Sequence, residues 1–199
     1  IFNPDIDAQT VQRTLVEYEI NRPFFLHVGT IQPRKNISTI LRAFDAFLAA
    51  GGKHQLVLVG SQGWSGEKRA ESDLSNVTSM KNVHPLGSLD TEQIACLMTS
   101  ADALVMAGFY EGFGLPALES MACGTPVLAA NAGALPEVVG NGGILFDPTD
   151  SDTLVEAMNV IDSDSSRKSL LRQRALARAS EFSWETHAKG LIQLVEELV

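Results

Sequence analysis

Two adjacent cations follow the first apolar run of the chain. Arg34 and Lys35 lie in the segment GTIQPRKN, residues 29–36, which connects a predicted strand to a helix that begins near Asn36 or Ser38. Cations at a helix N-terminus oppose the helix dipole, whose positive end attracts anions. A diphosphate bound between the two cations would resolve that conflict. A solvated basic turn is the alternative explanation for the same residues.

A second segment, YEGFGLPALES at residues 110–120, combines glycines with a helix start. Gly112 and Gly114 carry no Cβ, so the backbone can approach a ligand closely there. The helix that follows would leave the N–H groups of Phe113, Gly114 and Leu115 unpaired and facing outward. Such N–H groups are suited to binding an anion.

Glu111 and Glu119 stand on either side of that helix start. Ionised carboxylates accept hydrogen bonds from hydroxyl groups, so acids that flank an anion site suit a ligand with vicinal sugar or ribose hydroxyls. Acidic residues are also common near helix N-termini, where they complement the dipole. The residue types alone therefore leave Glu119 open between a ligand contact and a helix-stabilising acid.

The elements that must position these residues alternate between short apolar runs and helical patterns. The predicted buried strands are FFLHVG (24–29), QLVLVG (55–60), ALVM (103–106), PVLAA (126–130) and ILF (144–146), and VHPLG (83–87) is strand-like. Helical spacing of apolar residues predicts helices over 37–48, 94–101, 154–161, 170–179 and 184–198. Residues 1–22 are polar with a weak helical pattern, and we interpret them as an entry segment before the first strand.

Repeated strand–helix–strand units predict a doubly wound α/β fold, with a parallel sheet covered by helices on both faces. Ligands of such sheets bind beyond the carboxyl ends of the strands. Both segments that can do chemistry follow predicted strands, so we expect them to meet at this edge. The segment GSQGWSGEK, residues 60–68, lacks the Gly-Lys-Ser/Thr ending of a P-loop, and GFG at residues 112–114 lacks the third glycine of a dinucleotide site. Both departures argue against ATPase and dehydrogenase activities.

Composition excludes further classes of function. The 199 residues include 24 acidic and 15 basic ones, a formal net charge of −9, and a nucleic-acid partner would require a basic surface. Cys96 and Cys123 form no CxxC motif, which predicts neither a zinc site nor a disulfide and fits a reducing cytoplasm. No apolar run approaches the roughly 20 residues of a membrane span, and the N-terminus lacks the basic start of a signal peptide. We expect a cytoplasmic protein, peripheral to the inner face of the membrane at most, whose membrane contacts are made by other parts of the protein.

Three stretches together resemble a known family. The family is the retaining glycosyltransferases of group 1, also called family 4, and the similar stretches are GTIQPRKN, residues 101–140 and ILFDPTD. The resemblance spans nearly the whole chain. Its centre is the Glu-x7-Glu element from Glu111 to Glu119 within EGFGLPALESMACGTPV. The resemblance implies a Rossmann-like domain that forms one half of a GT-B fold and takes part in hexosyl transfer.

The resemblance also implies roles for individual residues. Lys35, with Arg34, would neutralise the donor diphosphate as it leaves, and Glu111 would contact the donor sugar. Glu119 would hold the ribose hydroxyls of the nucleotide. The other implied donor contacts are Gly29, Thr30, Phe113, Gly114 and Leu115, with Leu89 against the base.

The chain departs from the family pattern at two places. Many relatives have an arginine after the glycine that ends the first strand, where this chain has Thr30, so Arg34 must supply the second positive charge. A Pro-Ser pair that often precedes Tyr-Glu-Gly-Phe-Gly is replaced here by the segment Ala107-Gly108-Phe109. GSQGW, with Trp64, is similar to members that use GDP-mannose, although a packed tryptophan explains it equally well. The implied donor is therefore GDP-mannose or a UDP-sugar.

The resemblance implies transfer with retention of configuration, and neither a metal nor another cofactor. Two Asp-x-Asp strings, Asp5–Asp7 and Asp162–Asp164, resemble the metal-binding carboxylates of another transferase architecture. We discount both as metal sites because one lies in the entry segment and the other lies between predicted helices.

Members of the family have two Rossmann-like domains, and the acceptor, a glycan or lipid-linked sugar, binds the N-terminal one. This chain matches the C-terminal donor half, with residues 1–22 as an interdomain linker and residues 23–199 as the donor domain. We therefore expect it to bind a nucleotide sugar without transferring the sugar unaided. The alternatives are an epimerase-like or phosphorylase reaction on the same architecture, and a non-catalytic binding or assembly module of a polysaccharide-synthesis protein.

Overall fold

The computed structural model describes residues 1–61 and 80–197. Its strands are β1 (Phe24–Val28), β2 (Gln55–Val59), β3 (Val83–Gly87), β4 (Ala103–Met106), β5 (Val127–Ala130) and β6 (Gly143–Phe146). Its α-helices are α1 (Ala8–Glu17), α2 (Ile37–Ala49), α3 (Thr91–Ser100), α4 (Leu115–Ala122), α5 (Leu135–Val139), α6 (Ser151–Ser163), α7 (Ser165–Ser180) and α8 (Trp184–Glu197). Short 3-10 turns cover Pro33–Lys35 and Met80–Asn82.

The described strands form one six-stranded sheet in the order β3-β2-β1-β4-β5-β6. Every pair of neighbours runs parallel, with Leu26 opposite Val57 of β2 and Leu104 of β4. The predicted doubly wound α/β fold is confirmed, and the order reverses between β1 and β4, as it does in Rossmann-type sheets. That reversal places a crevice beyond the ends of β1 and β4.

Continuous apolar runs form these strands because helices cover both faces of a parallel sheet. The residues of β4 and β5 are all buried, as are Phe24, Phe25 and Leu26 of β1. On one face α2 packs against α6, whereas α1, α3 and α4 pack in succession and α7 covers α4. The predicted strands and the closing helices are confirmed.

Aspartate side chains set the start of several helices. Asp7, Asp150 and Asp164 accept hydrogen bonds from backbone N–H groups in the first turns of α1, α6 and α7. Asp90 and Gln93 form a reciprocal capping box at the start of α3. Such caps satisfy N–H groups that have no partner within the helix, so Asp7 and Asp164 of the acidic strings have structural roles.

The entry segment packs onto the sheet domain. Val11 and Leu15 of α1 are buried, and Ile20 follows them into the core. The Gln93 side chain of α3 donates a hydrogen bond of 2.7 Å to the Tyr18 hydroxyl. The weak apolar pattern therefore marks a helix that belongs to the core cluster.

The last helix has a different environment. No residue described in α8 is buried, and its large apolar side chains are exposed: Trp184, Leu191, Ile192, Leu194 and Val195. Among the described residues, no helix combines the length and apolarity needed to cross a membrane.

Candidate functional site

The loops after β1 and β4 meet at the carboxyl edge of the sheet. β1 and β4 are hydrogen-bonded neighbours, so the chain segments that leave them lie side by side. The N–H of Phe109 donates to the carbonyl of Arg34 at 3.0 Å, which joins the two loops directly. Both segments that the sequence analysis singled out therefore face the same crevice.

Lys35 and Glu111 form a buried ion pair between these two loops. Lys35 Nζ lies 2.7 Å from Glu111 Oε1 and 2.9 Å from Oε2, so one ammonium bridges both carboxylate oxygens. Lys35 and Glu111 are only 8% and 7% exposed. Arg34 is more distant, with Nη1 at 3.8 Å from Oε2, and its side chain is 53% exposed. Two cations and one carboxylate leave a local excess of positive charge.

Asn36 holds the turn that carries Lys35. Residues 33–35 make a single 3-10 turn that ends at Asn36, a left-handed residue with φ of 55°. Asparagine tolerates this conformation better than most residues. Its Nδ2 donates to the carbonyl of Pro148 at 2.8 Å, and its Oδ1 accepts from the Thr39 hydroxyl at 2.9 Å. Asn36 thus ties the loop to α2 and to the loop after β6, a role that sequence reasoning did not find.

Glycines make room for Glu111. A methyl group on Gly108 would lie 2.7 Å from Glu111 Oε1, and one on Gly133 would lie 2.9 Å from both the backbone N and O of Glu111. Gly133 also has a φ of +57°, which side chains with a Cβ rarely adopt. The N–H of Ala134 donates to the Glu111 carbonyl at 3.1 Å. The loop after β5 therefore holds the Glu111 backbone in place. Sequence reasoning noted Gly108 only as a departure from the family pattern and did not find Gly133.

The N-terminus of α4 opens beside this pair. Gly114 is the residue before its first turn, and its carbonyl accepts from Ala117 and Leu118. Within the described residues, the N–H groups of Phe113, Gly114 and Leu115 donate to no protein acceptor. Phe113 and Leu115 are themselves 42% and 47% exposed. The helix end therefore has free N–H groups and the positive end of its dipole, a few residues along the chain from Glu111.

Glu119 lies on the second turn of α4 and is partly buried. Burial raises the pKa of its carboxyl group. No hydrogen bond or ion pair joins the Glu119 side chain to another described side chain. A partly desolvated carboxylate with unused acceptors is suited to binding hydroxyl groups.

The other predicted contacts lie along the same edge. Gly29 follows β1, and a methyl group on it would lie 3.6 Å from Lys35 Cε. Thr30 is partly buried beside it. Leu89 follows β3, packs partly against the core, and is separated from β1 by the width of β2. Trp64 lies outside the described residues.

Two histidines, His27 and His54, are packed inside the domain. His27 of β1 is buried, and its Nδ1 lies 2.9 Å from the carbonyl of Val105. Because a carbonyl only accepts, Nδ1 carries the proton; burial lowers the pKa of His27 to about 4. His54 stacks on Phe25 at the opposite edge of the sheet, and its Nε2 lies 2.9 Å from Asp102 Oδ2. The spacing of 48 residues between His54 and Asp102 concealed this pair from sequence analysis.

The sequence is similar to a known protein family. The sequence matches the family model described as Glycosyl transferases group 1 over residues 13–179. It is 36% identical over 163 residues to O-antigen chain mannosyltransferase B of Escherichia coli. That alignment covers 81% of this chain and 42% of the mannosyltransferase.

Solved structures share the fold. Sucrose-phosphate synthase from Thermosynechococcus elongatus superposes with a TM-score of 0.81 at 29% identity, covering 94% of this chain and 48% of that one. HepE of Anabaena, crystallised with UDP and glucose, gives a TM-score of 0.85 at 23% identity, covering 96% and 53%. The chain thus spans 42% to 53% of the length of these proteins.

These likenesses identify the sheet domain as one Rossmann-like half of a GT-B fold. The family model covers most of the chain, and the mannosyltransferase is similar over four fifths of it. This chain belongs to the family of group 1 glycosyl transferases.

Proposed function

We propose that this chain is the donor-binding half of a retaining glycosyltransferase, which binds a nucleoside-diphosphate sugar for transfer to a glycan or lipid-linked acceptor. The observation that carries the proposal is the juxtaposition of Lys35, Arg34 and Glu111 beside the free N-terminus of α4. This arrangement offers cations and N–H groups to a diphosphate and carboxylates to its sugar and ribose. The crevice at the reversal of strand order is where such sheets bind nucleotides.

The diphosphate would be held by Lys35, Arg34 and the N–H groups of Phe113, Gly114 and Leu115. When the bond to the sugar breaks, negative charge grows on the departing phosphate. Fixed cations and N–H groups stabilise that charge without having to reorganise, and the loss of one such donor slows a reaction by roughly 100-fold. In this proposal Lys35 and Arg34 do the work that a metal ion does elsewhere, so transfer is expected to persist in EDTA.

The hydroxyl groups of the donor would be held by the two glutamates. Glu111, beside Lys35, is assigned to the sugar, and Glu119, with its unused acceptors, to the ribose. Gly29 and Thr30 would border the phosphates, and Leu89 would contact the base. The UDP named in the HepE structure and the mannosyl transfer named for the Escherichia coli relative support UDP-sugars and GDP-mannose as the donors to test.

Transfer with retention would require the acceptor to approach the face from which the diphosphate leaves. The chain spans 42% of its mannosyltransferase relative, which supports an acceptor site on a second domain. We therefore propose that residues 23–199 form the donor domain, that residues 1–22 lead into it, and that this chain binds the donor but does not transfer it alone.

Calorimetric titration with UDP, GDP and ADP tests the proposal. We expect one nucleotide to bind selectively and Lys35→Ala and Glu119→Ala each to weaken it by about tenfold or more, because each removes a charge-assisted contact. Glu137→Ala is the matched control, since Glu137 is exposed on α5 and should leave affinity unchanged. Failure of every nucleotide to bind would contradict the proposal and favour an assembly module.

A further inference from the structure

The Lys35–Glu111 ion pair occupies groups that a donor would need. The Lys35 ammonium lies within hydrogen-bonding distance of both Glu111 oxygens, at 2.7 and 2.9 Å. The proposed function assigns Lys35 to the diphosphate and Glu111 to the sugar. Any ligand that takes Lys35 must therefore draw it away from a carboxylate that holds it with both oxygens.

We infer that Glu111 is a specificity-determining residue that makes the site prefer an intact nucleotide sugar over the nucleoside diphosphate left after transfer. The inference rests on the proposed function and adds a second task for the same carboxylate. Glu111 competes with the diphosphate for Lys35, and only a ligand that carries the sugar compensates Glu111 for the loss of its partner.

The compensation differs between the two ligands because Glu111 is buried. An intact donor brings sugar hydroxyls, which can donate to the carboxylate oxygens that Lys35 releases. A nucleoside diphosphate brings no such donors, so Glu111 would face the phosphates as a desolvated charge with too few hydrogen bonds. A buried charge without a partner is strongly unfavourable. Arg34 compensates little, since it lies 3.8 Å away with a side chain that is 53% exposed.

Glu111 has little freedom to relieve this conflict by moving away. Its backbone is held by the N–H of Ala134 at 3.1 Å and by the close approach of Gly133, where a methyl group would lie 2.9 Å from its N and O atoms. Its carboxylate occupies space that exists only because residue 108 is glycine. The carboxylate therefore stays beside Lys35 and recaptures it when the sugar has gone, which favours release of the product.

Calorimetry on the full chain measures this preference directly. The probes are UDP against UDP-glucose and GDP against GDP-mannose, titrated into the unsubstituted chain and into Glu111→Gln. Glutamine keeps the size of the side chain and removes its charge, so we expect the diphosphate that binds to do so about tenfold more tightly, as the release of one charge-assisted hydrogen bond implies. The affinity of Glu111→Gln for the matching nucleotide sugar should be unchanged or lower.

Two variants complete the test. Glu137→Gln removes one negative charge from the exposed face of α5 and controls for the net charge of the chain. It should change the affinity for neither ligand. Gly108→Ala leaves all charges in place but puts a methyl group 2.7 Å from Glu111 Oε1, which should loosen the ion pair and shift the preference in the same direction as Glu111→Gln. This variant also decides the matter if Glu111→Gln does not fold.

The outcomes separate the inference from the proposed function. If none of the four ligands binds the unsubstituted chain, the proposed function is wrong and the inference falls with it. If the ligands bind but Glu111→Gln changes diphosphate and nucleotide sugar by the same factor, or leaves the diphosphate no tighter, the inference alone is overturned. A shift of equal size in Glu137→Gln would likewise overturn it, because the effect would then come from net charge.

Discussion

Replacement of Lys35 by methionine should destabilise the protein by leaving Glu111 without its partner. Both side chains are buried, and the ammonium contacts both carboxylate oxygens. Removal of one member of a buried ion pair costs about 3 kcal/mol or more, because a desolvated charge remains. For a domain of this size, that loss corresponds to a fall in melting temperature of about 6 to 12 °C.

The double variant Lys35→Met/Glu111→Gln should recover most of that loss. It removes both charges together, and replacing a buried pair by groups of similar volume is often nearly neutral in stability. We therefore expect the free energy of unfolding of the double variant to lie within about 1 kcal/mol of the unsubstituted chain. The corresponding coupling energy between the two sites would be at least about 2 kcal/mol.

Urea unfolding followed by circular dichroism, at pH 7 and low salt, supplies the four free energies of this cycle. Arg34→Met is the matched control, and it should cost less than about 1 kcal/mol because an exposed ion pair contributes little. Strictly additive effects of the two single substitutions would refute the reasoning. So would a loss for Lys35→Met no larger than that for Arg34→Met.

Three further substitutions test other parts of the structure. Gly133→Ala should cost about 2 kcal/mol, since a Cβ disfavours its left-handed conformation and meets the Glu111 backbone; a melting temperature unchanged by the substitution would contradict this. Burial lowers the pKa of His27 from 6.5 to about 4. As the pH falls, the unfolded chain therefore binds a proton at this histidine before the folded chain does. The free energy of unfolding should fall by about 3 kcal/mol between pH 6.5 and pH 4. His27→Leu should remove that part of the pH dependence, as measured by urea unfolding at several pH values. An unchanged slope of the free energy of unfolding against pH would contradict this prediction. Burial alone would raise the pKa of Asp102, but hydrogen bonds from His54 and Lys168 lower it; Asp102→Asn should therefore cost about 2 kcal/mol at pH 7 by denaturant unfolding.

Much of the fold was predictable because it follows local patterns. Short apolar runs bounded by glycines and polar residues indicate buried parallel strands, and the observed β1, β2, β4 and β5 lie within one residue of the predicted ones. The exact role of residues 1–22 was less accessible. Their apolar positions are sparse, and only the packed structure gives Val11 and Leu15 buried neighbours.

The site residues also divide into those that local sequence patterns predicted and those that they did not. The sequence indicated that Arg34 and Lys35 follow one strand, and that Glu111, Phe113 and the start of α4 follow another, since these features are contiguous in the chain. Gly29, Thr30 and Leu89 entered as contacts implied by the resemblance to a family. The same resemblance favoured a ligand contact for Glu119, which the residue types alone had left open. Their roles toward a donor stay predictions until the titrations are made.

Only the tertiary structure decided which groups meet. Lys35 and Glu111 are 76 residues apart and become partners because the sheet places β1 beside β4, an order that no local pattern specifies. The same order brings Gly108 and Gly133 against Glu111 and Asn36 against Pro148. The sequence by itself determined the chemical groups at the carboxyl edge of the sheet. Long-range packing determined that the Lys35 ammonium and the Glu111 carboxylate meet as a buried ion pair.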